Sequence, residues 1–342
     1  MTPGTRYALA FVMPLLATLA LTPVAARLAR RFNVMDDPGG HKTHREATPY
    51  LGGLAVGAGL LVIAAFTGGT NGELLTVLLG ALVLATVGLV DDIRGLSPVV
   101  RLAFEALAAL ALWVAGIRAG VLHTPWIDLP VTVLWVVAVT NAVNFTDNMD
   151  GIAASVAAAS TLGVATIAGS NGDYLVAAFA LAVAGACVGF LRYNLPPARI
   201  FLGDAGSMLL GFLIAALTVK VDLPVGAAAP RVLSTVLLTG VPLFDLTLVV
   251  VDRLRGGRPV YRGGTDHVSH RLAARGVPRM RIVLIAAGAQ TACSVLAFVV
   301  YRKPQTFVLG VGMAVVVLWI GLLAALLRIP ADAEAVRAGN AP

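Results

Sequence analysis

Residues 131–169 read VTVLWVVAVTNAVNFTDNMDGIAASVAAASTLGVATIAG. Two apolar runs flank a short island, NAVNFTDNMD at 141–150, that is crowded with Asn and Asp. The second run approaches the ~20 residues that carry a helix across a bilayer, and the first is shorter. The stretch therefore predicts two membrane helices joined by a tight polar turn. It also raises the question of why so much polar chemistry sits at a membrane edge.

The rest of the chain repeats the pattern. Of 342 residues, 58% are hydrophobic and 13% are charged, whereas a soluble chain carries about 25% charged residues. Eleven apolar runs are predicted as spans, at 5–27, 50–68, 74–90, 99–117, 130–145, 151–169, 173–192, 203–220, 231–252, 281–301 and 306–328. The fold class is thus all-α and polytopic, with residues 1–330 as a single integral-membrane domain and 331–342 as a short cytoplasmic tail. The first run has only Arg6 before it and is long, so it reads as a retained helix and not a cleaved leader. Cys187 and Cys293 fall in apolar runs and read as small hydrophobes.

Lys and Arg set the sides. With the N-terminus outside and the C-terminus cytoplasmic, 19 of the 25 basic residues fall inside. The same choice gathers the polar clusters on the cytoplasmic face: HKTHREATPYLGG after span 1, VDDIRG after span 3, the Asn/Asp island after span 5 and FLGDAGS after span 7. PLFD lies in span 9, and RGGRPVYRGGTDHVSHRL follows it. A transporter keeps its site near the midplane. Here most spans lack an acid or base at mid-depth, Glu105 and Asp245 excepted. A one-faced site favours a membrane enzyme over a flippase.

Each cluster has a chemical reading beside a plain one. Asp91 and Asp92 are adjacent at a helix end, which suits a Mg²⁺ site or a proton acceptor, or simply a solvated terminus. Asp245 has apolar neighbours on both sides and lies ~10 Å inside the end of its span, so it is a functional-site candidate. Asn141, Asn144, Asp147 and Gly151 share one face if span 5 continues as a helix, while Asp150 can cap the next helix. Gly203, Asp204, Gly206 and Ser207 open span 8 in a way that admits a phosphate, or makes an ordinary turn. The late loop offers Arg258, His267, His270 and Arg271 for a diphosphate, or for positive-inside bias alone. Aromatic interleaving is absent there, which argues against nucleic acid. Together these parts describe Mg²⁺-dependent phosphoryl transfer to a lipid.

HKTHREATPYLGG, VDDIRGLSP, NAVNFTDNMDGIAAS, NLPPARIFLGDAGSMLLGF, PLFD and DHVSHRL, in that order from about residue 33 to 276, resemble the polyprenyl-phosphate N-acetylhexosamine-1-phosphate transferases (glycosyltransferase family 4). The resemblance implies an eleven-helix bundle in the bacterial cytoplasmic membrane with its site on the cytoplasmic face. It implies transfer of a HexNAc-1-phosphate, GlcNAc-1-phosphate foremost, from a UDP-sugar to undecaprenyl or decaprenyl phosphate, with release of UMP. The product would serve cell-envelope polysaccharide assembly. Mg²⁺ is the implied cofactor, with Mn²⁺ as an alternative, and a homodimer is compatible with it. Asp91, Asp92, Asp147 and His270 form the implied catalytic set. Asp245 is the principal metal ligand, with Asp147 beside it. Lys42, His44, Asn141, Asn144, Asp150, Asp204, Arg258, His267 and Arg271 are placed on the nucleotide, sugar and phosphates. Gly95 and a sparser His pattern argue against the phospho-MurNAc-pentapeptide branch, although another UDP-HexNAc or phospho-MurNAc-pentapeptide stays open as substrate. Two positions depart from the family pattern. Asn148 stands where Gly is usual and Ser269 where the middle His of the late motif is usual. Both are expected to bear on the sugar more than on the reaction. The one-helix DG…AR…G…D…D spacing of CDP-alcohol phosphotransferases is missing, and retention of the acids speaks against a non-catalytic scaffold.

Overall fold

A computed structural model describes residues 2–36, 47–64, 72–120, 124–221, 228–261 and 263–329. Lys42, His44 and the tail at 331–342 lie outside the described residues. The elements are, in order, α1 (Pro3–Arg31), β1 (Met35–Asp36), β2 (Thr48–Pro49), α2 (Gly52–Ala64), α3 (Gly72–Arg94), α4 (Pro98–Val114), α5 (Pro125–Thr146), α6 (Ile152–Ser170), α7 (Tyr174–Asn194), α8 (Gly203–Lys220), α9 (Ala228–Leu238), α10 (Gly240–Arg255), α11 (Val268–Ala274), α12 (Arg279–Val300) and α13 (Gln305–Leu326). Local chemistry sets several starts. Ser97 accepts a bond from the Val100 amide with Pro98 in the first turn, and Asp173 does the same for the Val176 amide.

Among the described residues, eight of these helices are long and apolar enough to cross a membrane, or nine when the bent pair α9–α10 counts as one span. The protein is an all-α polytopic membrane protein. Two of the eleven predicted spans coincide with shorter helices. α2 has 13 described residues, and α4 has 17 and carries Arg101 and Glu105.

Burial grades the helices from centre to rim. In α8 the run from Ala205 to Thr218 is buried throughout, and α6 is buried along most of its length. In α13 only Val308 of 22 residues is buried, and large apolar side chains such as Met313 and Leu318 are exposed. A rim of that kind suits hydrocarbon. Lipid tails are as apolar as Leu, so helices associate through close packing. A Cβ on Gly53 would collide with the Gly206 backbone, and one on Gly88 would collide with the Asp204 carbonyl. α2 and α3 therefore press against the start of α8, the part that enters the site.

The predicted span 231–252 is not one helix. It breaks at Thr239, and the two halves meet at 78°. A break leaves backbone groups unpaired, which hydrocarbon does not tolerate. Gln290 of α12, fully buried, satisfies them: its Nε2 donates to the Leu237 and Leu238 carbonyls at 3.2 and 3.0 Å, and its Oε1 accepts from the Val241 amide at 3.0 Å. Gln290→Leu removes all three bonds and is expected to destabilise the protein by roughly 2–4 kcal/mol. Thermal unfolding in detergent checks this, and an unchanged midpoint would show that the break is held by other groups.

Candidate active site

The ends of α3, α5 and α7 and the starts of α6 and α8 converge at one end of the bundle. They enclose a cavity of about 410 Å³ lined by Asp36, Tyr50, Asp92, Asp147, Asn148, Asp150, Asn194, Gly203, Asp204, Thr265 and His270, among others. The adjacent acids of α3 diverge. Asp92 faces the cavity and accepts from the Asp204 and Ala205 amides at 2.9 and 3.2 Å, so it caps the start of α8. Gly203 makes that geometry feasible. Its φ is +72°, and a Cβ there would stand 2.8 Å from Asp92 Oδ2. Asp91 does not line the cavity but stands beside the Asp204 carboxyl. It takes an ion pair from Arg101 Nη1 at 2.6 Å and accepts from the Leu96 amide. Arg101 also reaches Asp204 Oδ2 at 3.5 Å, and Asn144 Nδ2 donates to Asp204 Oδ1 at 2.7 Å and Ser207 Oγ at 2.8 Å.

α5 ends at Thr146, so the expected shared face of Asn141, Asn144, Asp147 and Gly151 does not form. Asp147 is the residue that follows the helix end, and it enters the cavity. Asn141 stays in the helix packing, where its Nδ2 donates to Glu105 at 2.5 Å. Asp150 does not cap α6. Its Oδ2 accepts from the Ala198 amide at 3.0 Å, tying the DNMDG turn to the NLPPA loop.

The break at Thr239 moves Asp245 to the early part of α10. Its Oδ2 meets His267 Nδ1 at 2.7 Å and its Oδ1 accepts from the Val268 amide at 2.8 Å, so this buried carboxyl anchors α11. Asp245 lines a second cavity, an apolar groove of about 570 Å³ walled by α9, α10, α12 and α13. Asn148 lines both spaces. The Phe145 ring stands edge-on to His267, with centroids 5.9 Å apart.

Two expected phosphate ligands are committed elsewhere. Arg258 is exposed and pairs with Asp252 at 2.6 Å and Asp266 at 3.4 Å. Arg271 is buried, pairs with Asp252 at 3.0 Å and donates to the Leu326 and Ile329 carbonyls, so it clamps the end of α13. Arg253 forks onto Asp266 at 2.8 and 2.9 Å. Burial would raise the Asp266 carboxyl, but the bonds and charge of Arg253 hold it below the ordinary range. Among the described residues no Lys or Arg lines the acidic cavity.

Sequence reasoning passed over Asp36, Tyr50, Asn194 and Thr265 as site residues, and it used Arg101 only as a sign of topology. None carries a local signal beyond its neighbourhood to a motif: Arg101 follows DDIRGLSP, and Tyr50 stands inside ATPYLGG.

The charge pattern has consequences for protonation. Burial, then the Asp204, Asp92 and Asp150 carboxylates, pushes the Asp147 carboxyl well above the ordinary carboxylate range. Burial, then the neighbouring His267, pulls His270 down to about 4, so its imidazole is neutral at pH 7.

Residues 74–222 match the family model described as Glycosyl transferase family 4. The chain is 31% identical over 290 residues to the probable undecaprenyl-phosphate N-acetylglucosaminyl 1-phosphate transferase of Bacillus subtilis, covering 82% of this chain and 81% of that one. It belongs to glycosyl transferase family 4. The chain is also 32% identical over 322 residues to the decaprenyl-phosphate N-acetylglucosaminephosphotransferase of Mycobacterium tuberculosis, covering 83% of this chain and 80% of that one. It is 28% identical over 306 residues to the phospho-N-acetylmuramoyl-pentapeptide-transferase of Acetivibrio thermocellus, covering 82% of this chain and 89% of that one. The family match takes in Asp91, Asp92, Asn144, Asp147, Asp150 and Asp204. Asp245, His267 and His270 lie beyond it.

The donor set can be tested for a divalent cation. Among the described residues no three His, Cys, Asp or Glu side chains stand close enough to hold a metal unaided. Mg²⁺ does not need such a cage, because it takes one or two carboxylates and completes its shell with water and phosphate oxygens. Hard oxygen donors facing one space without a described Lys or Arg fit that mode. A doubly charged diphosphate would otherwise meet only repulsion there.

Proposed function

We propose that the protein transfers N-acetylglucosamine 1-phosphate from UDP-N-acetylglucosamine to a polyprenyl phosphate, releasing UMP. One observation carries the reading. An acidic cavity suited to a cation-bound diphosphate adjoins an apolar groove suited to a prenyl chain, and a single residue, Asn148, lines both. The names of the relatives support the same donor and acceptor classes.

The reaction needs one displacement. An oxygen of the lipid phosphate attacks the β-phosphorus of the UDP-sugar, the bond from that phosphorus to the bridging oxygen breaks, and UMP leaves with the electron pair. Asp147, with Asp92 beside it, would hold Mg²⁺ in the acidic cavity, where the cation would supply charge neutralisation for the diphosphate; Asp245, the metal ligand that the resemblance implies, lines the adjoining groove. The lipid phosphate attacks as its dianion, its second proton (pKa about 6) lost to solvent near neutral pH, so Asp147 serves as a cation ligand and not as the base. Asp92 holds the start of α8, and with it Asp204, against the cavity. Asn144 orients the Asp204 carboxylate. Asp91 acts through Arg101, which it aims toward Asp204. His270, neutral and facing the cavity, offers a hydrogen bond to sugar or phosphate. Lys42 and His44 are assigned to the phosphates by family resemblance.

The site lies on the cytoplasmic face of a bacterial cytoplasmic membrane in this reading. Eleven spans with the N-terminus outside support that, since 19 of 25 basic residues then fall on the side of the site.

Purified protein offered UDP-N-acetylglucosamine, other UDP-HexNAc donors and UDP-MurNAc-pentapeptide, each with undecaprenyl and decaprenyl phosphate, is expected to prefer the first donor. UMP and a prenyl-diphosphate-sugar should form in equal amounts by mass spectrometry. Release of UDP, or failure of every prenyl phosphate to accept, would exclude the proposal.

A further inference from the structure

Asn148 and Ser269, the two departures from the family pattern, touch each other. Ser269 Oγ donates to Asn148 Oδ1, and Asn148 Nδ2 donates to the Phe145 carbonyl at 2.6 Å and reaches Asp245 Oδ2 at 3.5 Å. The amide orientation follows from its partners. Nδ2 faces two acceptors, so Oδ1 must take the serine hydroxyl. Ser269 is 4% exposed and lines the apolar groove but not the acidic cavity, whereas Asn148 lines both. The pair thus ties the α5–α6 turn to α11, beside Asp245, where the two spaces meet.

We propose that Asn148 and Ser269 are positioning residues for the acceptor lipid, seating the phosphate-proximal end of the prenyl chain and leaving the sugar nucleotide unaffected. The inference rests on the transferase reading above. A chain lying in the groove with its phosphate in the cavity must pass Asn148. Ser269 faces only the groove side, so a group that meets it arrives along the lipid path. Because the two polar groups satisfy each other, the groove wall stays free of an unpaired donor or acceptor up to Asp245. Removing either partner leaves the other unpaired at the passage. This moves the expected effect of the two departures from the sugar to the acceptor.

The test is steady-state kinetics of the full-length protein in detergent, with acceptor and donor varied separately, on N148G, S269A, S269T and the double variant N148G/S269A. N148G and S269A are each expected to raise the KM for undecaprenyl phosphate about five- to tenfold, and S269A, at the residue that lines only the groove, should leave the UDP-N-acetylglucosamine KM within about twofold of wild type. The double variant should be no worse than the more affected single variant, because both remove one shared bond. S269T, which keeps the hydroxyl, should restore the wild-type acceptor KM. If N148G does not fold, judged by its thermal midpoint, S269A against S269T decides alone. A donor KM that moves while the acceptor KM stays, or additive effects in the double variant, would overturn the inference. Wild-type protein that transfers normally while every acceptor KM is unmoved sinks the pair alone. Wild-type protein that transfers to no prenyl phosphate sinks the transferase reading and the pair with it.

Discussion

Asp245→Asn is expected to lower turnover by about three orders of magnitude, the largest effect of any single substitution in this protein. The carboxylate is buried and receives His267 Nδ1 at 2.7 Å and the Val268 amide at 2.8 Å. An amide in its place presents an NH₂ group to one of these two partners, and the Val268 amide can only donate. Asn also loses the negative charge that a cation needs. The start of α11 then shifts, and His270 shifts with it. UMP release at saturating lipid, donor and Mg²⁺ measures the effect, with thermal unfolding confirming that the variant is folded. Turnover near wild type under those conditions would remove Asp245 from the site.

The second large effect comes from removing divalent cation. Chelation is expected to abolish turnover, since the cavity otherwise opposes a diphosphate with carboxylates. It should also make stability fall with pH. The Asp147 carboxyl is raised in the folded protein by burial and by Asp204, Asp92 and Asp150. A raised carboxyl favours the folded state fully below the unfolded value of about 3.9, and that contribution is lost as pH rises through the folded value. In chelator the thermal midpoint should therefore fall as pH rises through the raised value of this carboxyl. Added Mg²⁺ should restore more of it at the high-pH end than at the low-pH end, because the cation replaces the missing proton. A midpoint that ignores both pH and Mg²⁺ would mean that the acids are screened some other way, and full activity in chelator would exclude a divalent cation from the reaction.

Much of the architecture was legible along the chain because a bilayer makes a severe demand. Every backbone polar group must be satisfied within the lipid, and each long apolar run can meet that demand as a helix. Span positions, the island at 141–150 and the gathering of acids near helix ends therefore follow from composition and order. The break at Thr239 was not legible. Thr239 and Gly240 sit in an apolar run that reads as continuous helix, and the group that makes the break tolerable, Gln290, is 50 residues away on α12.

The division within the site has the same cause. Residue type and neighbourhood were enough to nominate Asp92, Asp147, Asp150, Asp204, Asp245, His267 and His270, since a carboxylate or imidazole beside membrane-spanning helices is costly unless it works. They could not separate Asp91 from Asp92, because neighbours on one helix look alike until Arg101 takes one and the start of α8 takes the other. Nor could they show that Arg258 and Arg271 are spent on Asp252 and Asp266, or that Asn141 stays with Glu105 inside the bundle. Spacing along a chain says which groups can act, whereas partner choice depends on distances between helices far apart in sequence. The meeting of Asn148 with Ser269, 121 positions apart, is such a distance, fixed when α10 bends and brings α11 over the end of α5.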